Sequence, residues 1–376
     1  MGGSSGATTA GAGGTAGSAA GGMGGSGGAV VVGTCTPVKP DDIYSPIMML
    51  SQTGCVDPTD PRKPIAKAVS YEVNSPLWSD SANKVRAFVL PAGKKIHIRK
   101  CSVQGDCPGG AADEGRWDFP VGTVMIKIFM FDAKLVETRL FMHMGDDTGA
   151  DAGWIGYGYQ WDETQKDATV VGSDRADAMF STSTGMVDWH YPSRKDCMTC
   201  HNVAAGSTLG PETAQMNRLV GGMNQMDKFQ ALGLFDAAPA QPYKAALVAP
   251  YAGQAGTPPA SATATQKARS YLHANCAFCH RPDGDFNHFD LRYDTAFTDT
   301  KLCNVDGLQG AIGGNPSIKL LSPGKSADSL MYERMNTTTM EAGRMPQIGT
   351  FAIDMGGTPL VKTWIDSIST GCVQPQ

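Results

Sequence analysis

The chain has 376 residues, of which 41% are hydrophobic and 18% charged, and a formal net charge of −5. That length accommodates two or three domains with real cores, and the acidic balance argues against nucleic acid or an anionic membrane surface, both of which favour basic faces. No run of roughly 18 apolar residues occurs, so no membrane span is expected.

Residues 1–33 are Gly, Ser, Ala and Thr with a few Met and Val and no charged side chain. Such a stretch buries too little apolar surface to offset its ordering entropy, so a flexible tether is expected. It has neither the basic region nor the apolar core of a signal peptide. Two readings stay open: the spacer behind a lipoprotein's lipid-bearing Cys, or a plain disordered tail.

From 34 to 180 the hydrophobic period is two. Residues 85–90 and 95–99 read as strands around a Pro-Ala-Gly turn, Thr123–Phe131 as a longer apolar strand, and Leu135–Met142 as its neighbour across an Asp-Ala-Lys turn. Ile155, Tyr157, Tyr159 and Trp161 then alternate with Gly156, Gly158 and Gln160. Short strands separated by Gly and Pro predict an antiparallel sandwich or barrel-like domain. Acidic pairs such as Asp146-Asp147 read as solvated turns.

The texture changes near 181. Trp189 to Arg194 leads into Cys197-Met198-Thr199-Cys200-His201, with Pro192 placed to open a helix. After a Leu209-Gly210-Pro211 loop, helix is expected from Gln225 to Leu234. Residues 236–260 form an Ala-, Pro- and Gly-rich linker. Helix resumes near Thr265 and delivers Cys276-Ala277-Phe278-Cys279-His280. Leu360, Val361, Trp364, Ile365 and Ile368 trace one face of a closing helix. The expected organisation is therefore a 1–33 tether, a 34–180 β domain, a 181–260 first haem c module with linker, and a 261–376 second haem c module. In fold class this is multidomain β + α, an antiparallel β domain followed by two mostly α-helical cytochrome c-type modules.

The two Cys-x-x-Cys-His pentads carry the chemistry. Two residues between the cysteines set both sulfurs on one side of a helical turn, so both can add to haem vinyl groups, and the adjoining His then lies under the iron. Zinc sites and thioredoxin-like motifs also use Cys-x-x-Cys, but two copies each ending in His favour haem. The expected cofactors are two covalently bound haem c groups, attached at Cys197 and Cys200 and at Cys276 and Cys279, with His201 and His280 as proximal ligands. Met345, 65 residues beyond His280 and stiffened by Pro346, is the distal candidate for the second iron. His190 and His143 are the candidates for the first. Met216 follows the Leu-Gly-Pro loop, on the proximal side in c-type cytochromes, and is discounted; Met223 and Met226 stay open as ligands, with a core role on a helix face favoured; His97, His273 and His288 read as structural or surface residues. Gly-rich phosphate loops, Gly-x-Ser-x-Gly elbows and His-Glu-x-x-His helices are lacking.

Ten cysteines less four leaves Cys35, Cys55, Cys101, Cys107, Cys303 and Cys372. An even remainder suits disulfides and an oxidising compartment. Proximity favours Cys35 with Cys55, Cys101 with Cys107, and Cys303 with Cys372, with other pairings open. A signal peptide is accordingly expected to have been removed upstream.

The strings Asn74-Ser75-Pro76-Leu77-Trp78-Ser79-Asp80, Trp117 to Thr123, Glu137-Thr138-Arg139-Leu140, Trp189 to Arg194, Leu209-Gly210, Tyr271 to Cys276 and Arg344-Met345-Pro346 resemble the Shewanella-type family of exported bacterial dihaem c-type cytochromes. The cytochrome part is also similar to modules associated with quinoprotein sugar dehydrogenases. The likeness covers roughly 43–370. It implies a β-rich N-terminal part, two haem c modules and extracytoplasmic electron transfer with a redox partner, a periplasmic dehydrogenase or another cytochrome. The expected function is a single-electron carrier of the periplasm or cell surface. The alternative is a peroxidase-like dihaem enzyme with an open iron at the first haem.

Overall fold

The computed structural model describes residues 35–375, apart from 40–41, 101–114, 146–152, 173–175, 254–257, 309–317 and 341–342. The tether, the Cys101–Cys107 pairing and the Asp146-Asp147 turn lie outside the described residues. The described residues fold as one unit.

Alternation of side chains across the pleat governs the first half. β1 (Val38–Lys39) and β2 (Asp42–Pro46) pair as a short hairpin ahead of β3 (Val69–Ser70) and β4 (Asn83–Val89). β5 (His97–Ile98) pairs with β6 (Trp117–Asp118). Then come β7 (Val124–Phe131), β8 (Lys134–His143), β9 (Trp154–Trp161) and β10 (Ala168–Val170). The main sheet has the order β10-β9-β8-β7-β4-β3 and is antiparallel throughout. One face carries Val124, Ile126, Ile128, Leu140, Tyr157 and Tyr159, and is covered by the N-terminal segment through Val38, Leu50 and Cys55. The strands expected from the period-two pattern are all present.

The opposite face is divided. At one end Phe88, Met125, Phe141 and Trp154 pack with Trp117, Met216, Met226, Phe229 and Phe235. At the other, Phe129, Phe131 and Val136 meet Trp189 and Tyr191. These last two come from a hairpin of β11 (Ala176–Thr182) and β12 (Gly185–Tyr191), which the sequence reading had not assigned. Between the two ends sits α1 (Arg194–Cys200), followed by α2 (Thr213–Met216), the small β13 (Leu219–Val220) and β14 (Met223–Asn224) pair, and α3 (Gln225–Ala231).

The last third has its own core. α4 (Ala264–Asn275), α5 (Leu330–Met335) and α6 (Gly357–Ser367) surround Leu272, Leu302, Leu321, Val361, Trp364 and Ile365. α6 can cross α4 closely because Gly357 has no side chain: a Cβ there would lie 2.1 Å from the Tyr271 ring. Cys303–Cys372 ties this core across 69 residues, and Cys35–Cys55 ties the N-terminal segment across 20. Both bridges are the pairs that sequence proximity favoured.

The expected fold class needs correction. The described residues are mostly β, with six helices of only 4 to 12 residues, and two helical cytochrome modules are not evident. The physical reason lies in 181–260. Its hydrophobic residues Trp189, Tyr191, Met216, Met226 and Phe229 are spent on the back of the β sheet, so this segment does not close a helical core of its own.

Candidate functional site

α1 begins with a capping box: the Asp196 N–H donates to Ser193 Oγ at 3.2 Å and the Ser193 N–H donates to Asp196 Oδ2 at 2.9 Å. Pro192 thus stands just outside the helix and Ser193 is the cap. One helical turn carries Cys197 to Cys200, and His201 ends it. The helix approaches the sheet over Gly156, where a Cβ would lie 3.3 Å from Cys197 Sγ and from the Phe141 ring. α4 has the same start, Thr263 with Gln266, and ends directly at Cys276.

The two pentads converge. Cys200 and Cys279 are hydrogen-bonded to one another. Cys279 Sγ also lies 3.9 Å from Thr199 O, and Asn202 Nδ2 lies 3.5 Å from Phe278 O. The four thiols are free. Burial pushes Cys276 up to about 12 and Cys197 up to about 11. Cys200 is raised by its bond to Cys279 and by burial, while Cys279 is lowered by that bond in spite of its burial. Cys279 is therefore the readiest thiolate of the set.

Each pentad histidine is held by a backbone carbonyl. His201 Nδ1 lies 2.5 Å from Ser207 O, and His280 Nδ1 lies 3.2 Å from Phe286 O. Nδ1 donating to a carbonyl leaves Nε2 as the acceptor nitrogen. Burial lowers both imidazoles to about 4, so both are neutral near pH 7. His280 stacks on Phe289 at 4.2 Å. His201 meets Phe141 at 4.3 Å; Phe141 stacks on Trp154 at 4.9 Å, and Trp154 on His143 at 4.6 Å. Four rings thus run in contact from His201 to His143.

Cavities flank both motifs. Beside the second pentad, one of about 90 Å³ is lined by Trp78, Cys276, Cys279, His280 and Met345. Another, of about 410 Å³, is lined by His280, Phe289, Met331, Met335 and Met345. Met345 and His280, 65 residues apart in the chain, thus share two cavity walls. Beside the first pentad, a cavity of about 170 Å³ brings Cys197, Cys200 and His201 against the sheet.

The other candidates lie elsewhere. His143 is not on the wall of the first pentad's cavity; its Nδ1 lies 2.8 Å from Phe119 O. His190 is also off that wall, with Nδ1 2.8 Å from Asp177 Oδ1 and Nε2 3.7 Å from Asp196 Oδ2. Met216 and Met226 are core residues and Met223 is exposed. His97 pairs with Asp236 and His273 with Glu212, whereas His288 lines the larger second cavity.

The expectation of two covalently bound haem c groups is corrected by this arrangement. Among the described residues, no group of three or more His, Cys, Asp or Glu side chains is gathered that could hold a metal ion. Four of the other cysteines are closed into disulfides, and the pentad thiols are free, with Cys200 and Cys279 turned toward each other between the motifs. The ring ladder and the convergence of the pentads were not foreseen. The ladder had a signal in Phe141, His143 and Trp154, but only strand register puts these residues side by side.

Among the described residues no helix is long and apolar enough to cross a membrane, and the two disulfides suit an oxidising compartment. No protein-family model, characterised protein or solved structure matches the chain.

Proposed function

We propose that the chain is an extracytoplasmic electron-transfer protein passing single electrons between redox partner proteins, with the paired pentads as its working site. The observation that carries this reading is the convergence of two Cys-x-x-Cys-His motifs, each facing a cavity, with Met345 and His280 lining the same two cavities. The likeness of its motif strings to exported cytochromes points the same way. So does the ring ladder from His201, since closely spaced π systems suit short electron steps. The disulfides support a place outside the cytoplasm, in the periplasm or at the cell surface, and a dehydrogenase or a cytochrome suits the partner role.

The test is a reductive titration of the full chain after export into a bacterial periplasm. A reversible one-electron step that disappears in Cys276→Ala/Cys279→Ala and shifts in Met345→Ala supports the reading. A chain that shows only a two-electron step, tracking a disulfide between Cys200 and Cys279, overturns it. That outcome would favour the second reading, thiol–disulfide exchange, to which the Cys200–Cys279 hydrogen bond speaks directly.

A further inference from the structure

The loop 301–306 and the tail 369–375 meet at the Cys303–Cys372 bridge, and backbone strain collects there. Lys301 and Asn304 stand at φ 58° and Cys372 at φ 59°. All three lie in the left-handed region, which Gly and, less freely, Asn adopt at small cost but Lys and Cys do not. Residues persist in that region where the surrounding structure over-determines them, and they gather at sites that switch.

The two sulfurs are unequally supported. Cys303 belongs to a framework: it bridges Leu321, the Asn304 N–H donates to Leu321 O at 2.9 Å, and the Leu320 N–H donates to Val305 O at 2.7 Å. This ladder leads into α5, where the Leu330 N–H donates to Lys319 O at 2.8 Å. Cys372 sits instead on a tail that turns back on itself, with the Ser369 N–H donating to Val373 O at 3.0 Å and the Cys372 N–H to Ser369 O at 2.9 Å. Besides the bridge, Asn304 Nδ2 donates to Cys372 Sγ at 3.4 Å, and Thr265 Oγ1 at the start of α4 donates to Pro375 O at 2.6 Å. Gln374 Oε1 is buried with no hydrogen-bond partner among the described residues. An unmet polar atom of this kind loosens the tail, so its fastening rests on the covalent bond.

Cys303 and Cys372 are both half-buried, whereas the other bridge keeps Cys55 fully buried. Strained or exposed disulfides are the labile ones, and exchange is faster when the leaving sulfur is stabilised as a thiolate. The Asn304 amide supplies that stabilisation to Cys372. We infer that Cys303–Cys372 is a thiol-exchange site, opened by a dithiol reductant, which frees the tail and leaves the ladder around Cys303 in place. A thiolate of the reductant attacks Cys303 Sγ, the S–S bond breaks, and Cys372 departs with the electron pair as a thiolate held by Asn304. The reductant's second thiol then attacks the mixed disulfide. The reductant ends as its own disulfide and the chain holds two thiols, two electrons and two protons having passed between them. This site is separate from the pentads and does not depend on whether they pass electrons.

The test treats the full chain with dithiothreitol under native conditions, quenches by alkylation at intervals and reads the cysteine peptides by mass spectrometry. Cys303–Cys372 should open about tenfold or more faster than Cys35–Cys55. Amide hydrogen exchange should then quicken at Ser369 and Cys372 while α6 stays protected. With the monothiol glutathione as probe, the trapped mixed disulfide should sit on Cys303. Asn304→Gly keeps the left-handed backbone and removes the amide, so it should slow opening severalfold. Cys35–Cys55 opening as fast, or Cys303–Cys372 opening only at the global unfolding rate, would overturn the exchange site. Glutathione trapped on Cys372, or an unchanged rate in Asn304→Gly, would overturn the assignment of Cys372 as the leaving sulfur.

Discussion

The Asp80 carboxylate accepts the backbone N–H of Phe351, 271 residues away, at 2.9 and 3.0 Å, and that of Ala352 at 2.8 Å. This clasp joins the turn after Trp78 to the loop that carries Met345. The loop is itself closed around Arg344, which donates to the carbonyls of Pro346, Thr350 and Ala352. Asp80→Ala strands two N–H groups and should cost about 3 kcal/mol in urea unfolding. Burial raises the Asp80 carboxyl above 3.8, against the opposing pull of the two N–H donors, Arg344 and Lys84. The folded chain then holds this proton more tightly than the unfolded one, so the group's contribution is lost as pH rises through its folded pKa. Asp80→Asn should therefore gain on the parent as pH climbs from 3.8. A constant difference across that window would refute the assignment.

Glu212 and His273 behave in the opposite sense. His273 Nε2 donates to Glu212 Oε1 at 2.8 Å, and Tyr293 N–H donates to its Nδ1 at 3.0 Å. Burial works against the Glu212 charge, yet His273, Lys244 and Arg116 together lower the carboxyl to about 2. The stability it supplies is present above 4.5 and lost as pH falls toward 2. Glu212→Gln should cost about 2 kcal/mol at pH 7, and the gap should close over that acid range.

Much of this was legible in the residues, and the remainder was not for identifiable reasons. Val124 to Phe131 and Trp154 to Trp161 are long alternating or apolar runs, so their strands were readable. The 176–191 hairpin was not, because Trp189 and Tyr191 sit beside a Cys-rich motif whose helical expectation masked a period-two pattern. The pentads themselves were plain, but their contact through Cys200 and Cys279 depends on where α1 and α4 end, which no local pattern encodes. Arg86, Lys127 and Arg139 each look like an isolated polar residue within a strand. Only the register between three strands makes them a row.

The closing helix offers a packing test. Trp364 is fully buried and meets Phe297 edge-on at 5.8 Å. Trp364→Ala should cost about 4 kcal/mol, as expected for emptying a large core site. Trp364 Nε1 has no hydrogen-bond acceptor among the described residues. Trp364→Phe removes that unmet donor together with some volume, so its cost should be less than half that of Trp364→Ala in the same denaturation assay.

The two disulfides should differ in worth because they close loops of different length. In the chain-entropy account, Cys303–Cys372 across 69 residues contributes about 4 kcal/mol and Cys35–Cys55 across 20 about 3 kcal/mol. Replacing each pair by alanines and comparing unfolding midpoints tests the ordering. Equal or reversed losses would mean that local packing around the fully buried Cys55 outweighs loop length.

The Cys200–Cys279 contact makes a chemical prediction that sequence spacing alone would not make. Within either motif the near neighbour in the chain is the other cysteine of the same pentad, so oxidation by proximity in sequence would join Cys197 to Cys200 and Cys276 to Cys279. In the fold, the lowered thiol, Cys279, faces Cys200, whereas burial raises Cys197 and Cys276. Thiolate character governs both alkylation and disulfide formation. In the metal-free, unmodified chain at pH 8, iodoacetamide should label Cys279 first. The two-electron oxidant diamide should yield a peptide pair linking 200 to 279, two thiols giving one disulfide with both hydrogens passing to the reagent. Cys200→Ser and Cys200→Ala should both abolish that cross-link, and Cys200→Ala should slow labelling of Cys279, since it removes the hydrogen-bond donor that lowers this thiol. Mass spectrometry showing the within-motif pairs instead would mean that α1 and α4 do not hold the two pentads face to face.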